Sequence, residues 1–138
     1  MTLNIQKNIL LAPYTTFKIG GPAKYFCEIK NIGELREAIE WAKWENLSYF
    51  VLGGGSNLLV SDEGFNGLVI KIMNSGFQII NSKIIAGAGA FLSRLVLESV
   101  KNGLSGLEWA IGIPGTIGGA VCGNCGAYGH NISESVIG

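Results

Sequence analysis

The chain has 138 residues, 48% hydrophobic and 14% charged, with ten Lys and Arg balancing ten Asp and Glu. That composition excludes a disordered segment, and zero net charge without a basic stripe or polybasic run excludes electrostatic capture of nucleic acid or of an anionic membrane. One domain or a little less is expected at this length, enough to bury roughly 70% of the surface that the unfolded chain exposes.

Met1–Lys7 holds no long apolar stretch, so no signal peptide is read there. Lys24–Ile29 is short and aromatic-rich, as a strand requires. Asn31 then caps a helix, with Glu34 placed to reach back to it. Leu35, Ala38, Ile39 and Ala42 form its apolar face at i, i+3, i+4 and i+7. Tyr49–Leu52 is a second strand running directly into three glycines, and Gly67–Ile72 a third. Strand, helix, strand, loop, strand is the order of a small, partly parallel sheet.

From Phe77 the character changes. Phe77–Ile80, a polar Asn81-Ser82 turn and Lys83–Ala86 predict a hairpin. Gly87-Ala88-Gly89-Ala90 leads into a helix with Leu92, Leu95, Val96 and Val100 on one face, stopped at Asn102-Gly103. Trp109 to Gly129 has no charged residue but contains seven glycines and Pro114. Gly and Pro are the poorest helix formers, so this run reads as a buried Gly-rich loop system and no membrane span is expected. Val136-Ile137 reads as the opening of a further strand, and a C-terminal truncation is expected.

Three clusters concentrate the glycines: Gly53-Gly54-Gly55-Ser56-Asn57, Gly87-Ala88-Gly89-Ala90, and Ile113-Pro114-Gly115-Thr116-Ile117-Gly118-Gly119. Glycine accepts positive φ and lets backbone approach a ligand with no Cβ in the way. Successive N–H groups in such loops form concave anion sites, and Ser56, Asn57 and Thr116 add side-chain donors. The set suits a diphosphate among apolar walls. It is not a P-loop, since no Lys follows Gly55, and not a Rossmann fingerprint, since Leu58 stands where a third glycine is needed.

Taken in order, several motifs bring a family into view. They are Thr16–Ala23, Val51–Val60, Gly103–Glu108, Gly112–Val121 and Asn124–Gly129. Their order and spacing resemble the UDP-N-acetylenolpyruvoylglucosamine reductases (UDP-N-acetylmuramate dehydrogenases), in the FAD-binding portion. The resemblance implies an α+β fold: a PCMH-type, vanillyl-alcohol-oxidase-like FAD-binding domain of two small α+β subdomains, about 16–74 and about 75–138, with the substrate domain absent. It implies non-covalent FAD, NADPH as reductant, a UDP-sugar substrate and a cytoplasmic enzyme of peptidoglycan synthesis in the cell wall.

Carried over residue by residue, Gly53, Gly54, Gly55, Ser56, Asn57 and Leu58 would wrap the FAD diphosphate. Ile113, Pro114, Gly115, Thr116, Gly118 and Gly119 would line the flavin, with Gly126 and Ala127 nearby and Tyr128 on the substrate side. The family's catalytic arginine, serine and glutamate match no motif here, so no catalytic residue is assigned. Two alternatives stand beside this reading: another flavoprotein oxidoreductase of the same fold, and a non-catalytic FAD-binding remnant or split subunit completed by a second chain.

Cys27, Cys122 and Cys125, an odd count without a signal peptide, predict reduced thiols. A zinc site would need all three to converge with His130, so no metal is expected and the cysteines are read as packing residues. His130 is read as a surface or loop residue, and Trp41, Trp44 and Trp109 as core or helix-packing aromatics. Glu108 is placed to hydrogen-bond a loop.

Overall fold

The computed structural model describes residues 3–138, which divide into two units, 3–74 and 75–138. In the first, Asn31 starts helix α1 (Ile32–Trp44) from an extended backbone, its Oδ1 accepting the Glu34 N–H at 2.9 Å. Glu34 reaches back to the Lys30 N–H at 2.6 Å and to Asn31 Nδ2 at 2.9 Å. One of the first turn's orphan donors, the Glu34 N–H, is thereby satisfied. The helix stops where Asn46 enters the left-handed region (φ 54), with Leu47 N–H bonded to Ala42 O and Asn46 N–H to Lys43 O.

Strands β1 (Gln6–Leu10), β2 (Pro22–Ile29), β3 (Tyr49–Leu52) and β4 (Phe65–Ile72) form one sheet in the order β1-β2-β4-β3. β4 lies parallel to both β2 and β3, and β1 adds an antiparallel edge. Alternate residues of the central strands face opposite sides. Cys27, Ile29, Leu68 and Ile70 pack with Ala38 and Ala42 of α1, the small alanines admitting the helix close to the sheet. Phe26, Val69 and Ala23 pack on the other side with Leu11 and Leu52. A strand covered on both faces reads as a continuous apolar run, as Leu68-Val69-Ile70 does.

β1 is an element that the sequence reading did not identify. Trp41 packs edge-on against Tyr25 (ring centroids 5.2 Å apart), but Trp44 is 81% exposed, which corrects its reading as a packing aromatic. It is the last residue of α1, off the Ala38–Ala42 face.

Burial of Cys27 pushes its thiol from the ordinary 9.0 to about 11. Below pH 9.0 the thiol is neutral in both folded and unfolded chains. Between 9.0 and about 11 only the unfolded chain ionises, so stability falls; above about 11 it falls no further on this account. The loss is worth about 2–3 kcal/mol. Urea titrations of the wild type and Cys27→Ala at stepped pH are expected to show this alkaline loss in the wild type and its absence in the variant.

In the second unit, β5 (Phe77–Ile80) and β6 (Lys83–Ala86) pair as an antiparallel hairpin. Asn81 and Ser82 both take positive φ (47 and 63), the twist-matched geometry of a two-residue turn. Helix α2 (Leu92–Lys101) buries Leu92, Leu95, Val96 and Ser99, while Val100, placed on that face by the sequence reading, is exposed. It ends at Gly103 (φ 70), with Leu104 N–H on Ser99 O.

The uncharged run holds more order than the predicted loop system. It contains the last two residues of a 3-10 turn (Glu108–Ala110), helix α3 (Ile117–Cys122) and the first strand of a short hairpin, β7 (Gly126–Ala127) with β8 (His130–Asn131). Leu92, Val96, Ala110, Ala120 and Ile132 form the core that holds them. Tertiary burial of Ala120 on this core outweighs the poor propensity of Gly118 and Gly119. Cys122, the last residue of α3, is exposed, which corrects its reading as a packing residue; Cys125 is half-buried against the Leu92–Ile132 core. Val136 and Ile137 are exposed and in no strand. No helix among the described residues is long and apolar enough to cross a membrane.

Candidate functional site

The loop after β3 is held from three sides within the first unit. Gly55 takes φ +71 and is buried so tightly that a Cβ would overlap the carbonyl oxygen of Tyr14. Its own carbonyl accepts from Thr16 N–H at 3.0 Å. The Gly53 carbonyl accepts from the Lys71 ammonium on β4. Thr15, buried, places Oγ1 3.2 Å from Ala12 O and 3.0 Å from Ile19 O, bracing the segment against which the loop rests. Phe26 lies under Tyr14, ring centroids 4.8 Å apart.

The bonds that anchor the loop run through its carbonyls, and the N–H groups of Gly54 and Asn57 meet no acceptor among the described residues. Ser56 has a partner of its own. Donors turned away from protein acceptors are the chemistry an anionic group requires. Beside the loop lies a cavity of 160 Å³ with apolar walls from Leu11, Phe50, Leu58, Val60 and Phe65. Lys71 is the residue here that sequence reasoning missed. Burial lowers its ammonium below the ordinary range, the Glu28 carboxylate partly opposing. Its signal was a single charge inside the apolar run Gly67–Ile72.

In the second unit, the other two glycine clusters are bonded to each other. Phe91 and Thr116 form an antiparallel bridge, Leu92 N–H bonds Gly115 O, Ile117 N–H bonds Ala90 O and Gly118 N–H bonds Ala88 O. The Ile117 and Gly118 donors are therefore committed to protein carbonyls. A Cβ on Gly118 would stand 2.8 Å from the Ala88 Cβ, so this glycine permits the two loops to meet.

Thr116 is buried, and its Oγ1 accepts the Gly119 N–H at 3.4 Å as the cap of α3. Accepting this bond leaves the hydroxyl's own proton uncommitted. Gly115 carries φ +108, while Ile113 is half-buried on the core and Pro114 exposed. A larger cavity of 720 Å³ lies in this unit among Ile84, Leu95, Leu104, Leu107, Ile117 and Ile132, and none of the predicted cofactor residues lines it.

Gly126 has no room for a Cβ, which would stand 2.6 Å from His130 O. Tyr128 turns the hairpin at φ 53 and is 88% exposed, with Ala127 half-buried beside it. His130 is exposed, stacked on Trp109 (centroids 6.3 Å) with Nδ1 3.0 Å from Glu134 Oε2. That bond holds the Glu134 carboxyl below its ordinary range. Glu108 accepts the Gly106 N–H at 2.7 Å, tying the loop as expected, and the N–H groups of Glu108 and Gly106 lower its carboxyl. Among the described residues, no group of three or more His, Cys, Asp or Glu is arranged to hold a metal.

Residues 23–138 match a family model described as an FAD binding domain. The UDP-N-acetylenolpyruvoylglucosamine reductase of Synechococcus sp. (strain JA-3-3Ab) is 47% identical over 96% of this chain and 43% of its own length. The enzyme of that name from Clostridium tetani is 42% identical over 96% of this chain and 44% of its length. The crystal structure of the UDP-N-acetylenolpyruvylglucosamine reductase of Thermus caldophilus aligns with a TM-score of 0.80 at 40% identity, covering 95% of this chain and 46% of that one. A cholesterol oxidase from Brevibacterium sterolicum aligns at 0.65 and 20% identity over 91% of this chain and 25% of its own, a likeness of fold alone. The chain spans less than half the length of these curated relatives.

Proposed function

The chain belongs to the FAD binding domain family, and on that premise we propose that it is the FAD-binding portion of a UDP-N-acetylenolpyruvoylglucosamine reductase acting in the cytoplasm on a UDP-sugar of peptidoglycan synthesis. The observation that carries the reading is the Gly53–Asn57 loop. Its carbonyls are tied to Thr16 and Lys71, while the N–H groups of Gly54 and Asn57 meet no acceptor among the described residues. A two-charge diphosphate fits such a cradle, and the cavity beside it has apolar walls.

In this proposal, Gly53 to Leu58 hold the diphosphate. Ile113, Pro114, Gly115, Thr116, Gly118 and Gly119 present backbone and small side chains to the flavin, with Gly126 and Ala127 nearby and Tyr128 toward substrate. Gly118 serves by fixing the loop, since its N–H is engaged, while Thr116 caps α3 through its oxygen and keeps its hydroxyl proton to donate. When bound, FAD would supply the hydride chemistry, with NADPH as the source of electrons; the protein's part is binding and orientation.

Equilibrium dialysis of the purified chain with FAD tests the binding reading, and substrate-dependent NADPH oxidation by the loaded chain tests the activity. Stoichiometric FAD binding without turnover is expected. Reducing a polarised double bond requires positioned donors for the developing charge and a proton source, and losing one such donor typically costs about 10²–10³ in rate. Arg36 and Arg94 fall in none of the motifs that carry the resemblance. Failure to bind FAD would remove the proposal, and robust turnover would show that this chain carries the catalytic groups itself. The second reading, a flavin-binding module completed by another chain, rests on the same share of 43–47% of the relatives. It predicts turnover on adding the complementary polypeptide.

A further inference from the structure

Lys71 carries the only charge in the run Gly67–Ile72. It stands opposite Glu28 in the pairing of β2 with β4 and opposite Leu52 in the pairing of β3 with β4. Leu52 is the last residue of β3, so the Lys71 side chain starts level with the point where the chain leaves the sheet for the glycine loop. Alternation along β4 puts Leu68 and Ile70 toward α1, and puts Lys71 on the other side with Val69. From there Nζ donates to the Gly53 carbonyl, the first of the loop.

The side chain is half-buried, and burial disfavours its charge, with the Glu28 carboxylate opposing in part. Replacing a desolvated charge by an apolar residue of similar volume is often neutral or stabilising. Packing therefore does not explain an ammonium at this position, and the bond it makes does. The described peptide bonds are all trans. In a trans peptide the C=O and N–H lie in one rigid plane and point in opposite directions. Holding the Gly53 carbonyl against the sheet turns the Gly54 N–H to the far side of that plane, away from the ammonium. This N–H meets no acceptor among the described residues, and Gly54 has no Cβ to obstruct it. A cationic donor on the carbonyl also polarises the peptide, which strengthens its N–H as a donor.

We propose that Lys71 is a positioning residue of the anion site: its ammonium fixes the plane of the Gly53–Gly54 peptide and so aims the Gly54 N–H at a phosphate oxygen of the ligand. This rests on the reading of the loop as the FAD diphosphate site. Lys71 does not touch the ligand; the peptide that it holds stands between them, and it acts through Gly54.

The test compares the wild type with Lys71→Met, which keeps an apolar stem and removes the donor, and with Lys71→Arg, which keeps a cationic donor. Each chain is titrated with urea and dialysed to equilibrium against FAD. Lys71→Met is expected to hold a urea midpoint no lower than the wild type, because a desolvated charge is gone. Its FAD affinity is expected to fall by about tenfold, the scale of one hydrogen bond to a charged group. Lys71→Arg is expected to recover most of that affinity, which a packing role would not require. In the wild type, where no substitution intervenes, the Gly54 amide proton is followed by NMR as FAD is added, and a downfield shift is expected. Wild-type affinity in Lys71→Met, a loss that Lys71→Arg shares in full, or a Gly54 amide unmoved by bound FAD would each overturn the proposal while leaving FAD binding intact. A wild-type chain that binds no FAD overturns the underlying reading instead, and the proposal with it.

Discussion

Gly55→Val is expected to cost about 3 kcal/mol or more of stability and to abolish FAD binding at micromolar cofactor. The residue sits at φ +71, where a β-branched side chain is strained by about 1–3 kcal/mol. The added Cβ would also overlap the Tyr14 carbonyl, a backbone atom with no rotamer to yield. Relief requires separating the loop from the Ala12–Tyr14 turn, which breaks the Thr16–Gly55 bond of 3.0 Å.

Urea denaturation and equilibrium dialysis with FAD measure the two losses. Gly54→Val is the companion variant, because Gly54 has no positive φ. It is expected to keep its urea midpoint while FAD affinity falls by tenfold or more, about 1.4 kcal/mol. A Gly55→Val chain with wild-type midpoint and affinity would remove this loop from the binding site. Unchanged affinity in Gly54→Val would show that the exposed donors are not used.

Phe26→Ala is expected to destabilise the chain by about 3–5 kcal/mol, the cost of deleting a buried aromatic and leaving a cavity. Phe26 is fully buried on a central strand, packed with Leu11, Ala23, Leu52 and Val69. Domains of this size are stable by only about 5–15 kcal/mol, so the variant should unfold at markedly lower urea. The effect should also reach the site. Phe26 supports the Tyr14 ring at 4.8 Å, and the Tyr14 backbone is the surface against which Gly55 is seated. FAD affinity is therefore expected to fall in the fraction that remains folded. Dialysis at a temperature where the variant is still folded by circular dichroism checks this. A large stability loss with unchanged FAD affinity would show that the loop is held without the aromatic pair.

The elements legible in the residues were those with a local cause. Helix α1 was readable because its cap, Asn31 with Glu34, and its apolar face, Ala38 and Ala42, lie within twelve residues of one another. The β5–β6 hairpin was readable because Asn81-Ser82 tolerates the left-handed turn that joins its strands. The family resemblance was equally a matter of sequence order, and the relatives bear it out, as they do the α+β fold class. β1 was missed because its strand character comes from pairing with β2, not from its own alternation. Helix α3 was missed because Gly118 and Gly119 argue against a helix locally. Burial of Ala120 and the Thr116 cap argue for it only once the core exists.

The residue types alone led to the expectation that a chain of zero net charge with glycines clustered after a strand would offer a ligand backbone N–H groups, helped by the Ser56, Asn57 and Thr116 side chains. Which backbone groups remained to offer was a question of long-range partners. Gly53–Asn57 is anchored through carbonyls by Thr16 and Lys71, and the N–H groups of Gly54 and Asn57 meet no acceptor among the described residues. The Ile117 and Gly118 donors are instead spent on Ala90 and Ala88. The two loops have similar composition. A hydrogen-bond donor is used once, and whether a protein carbonyl or a ligand takes it is settled by segments that sequence proximity does not reveal.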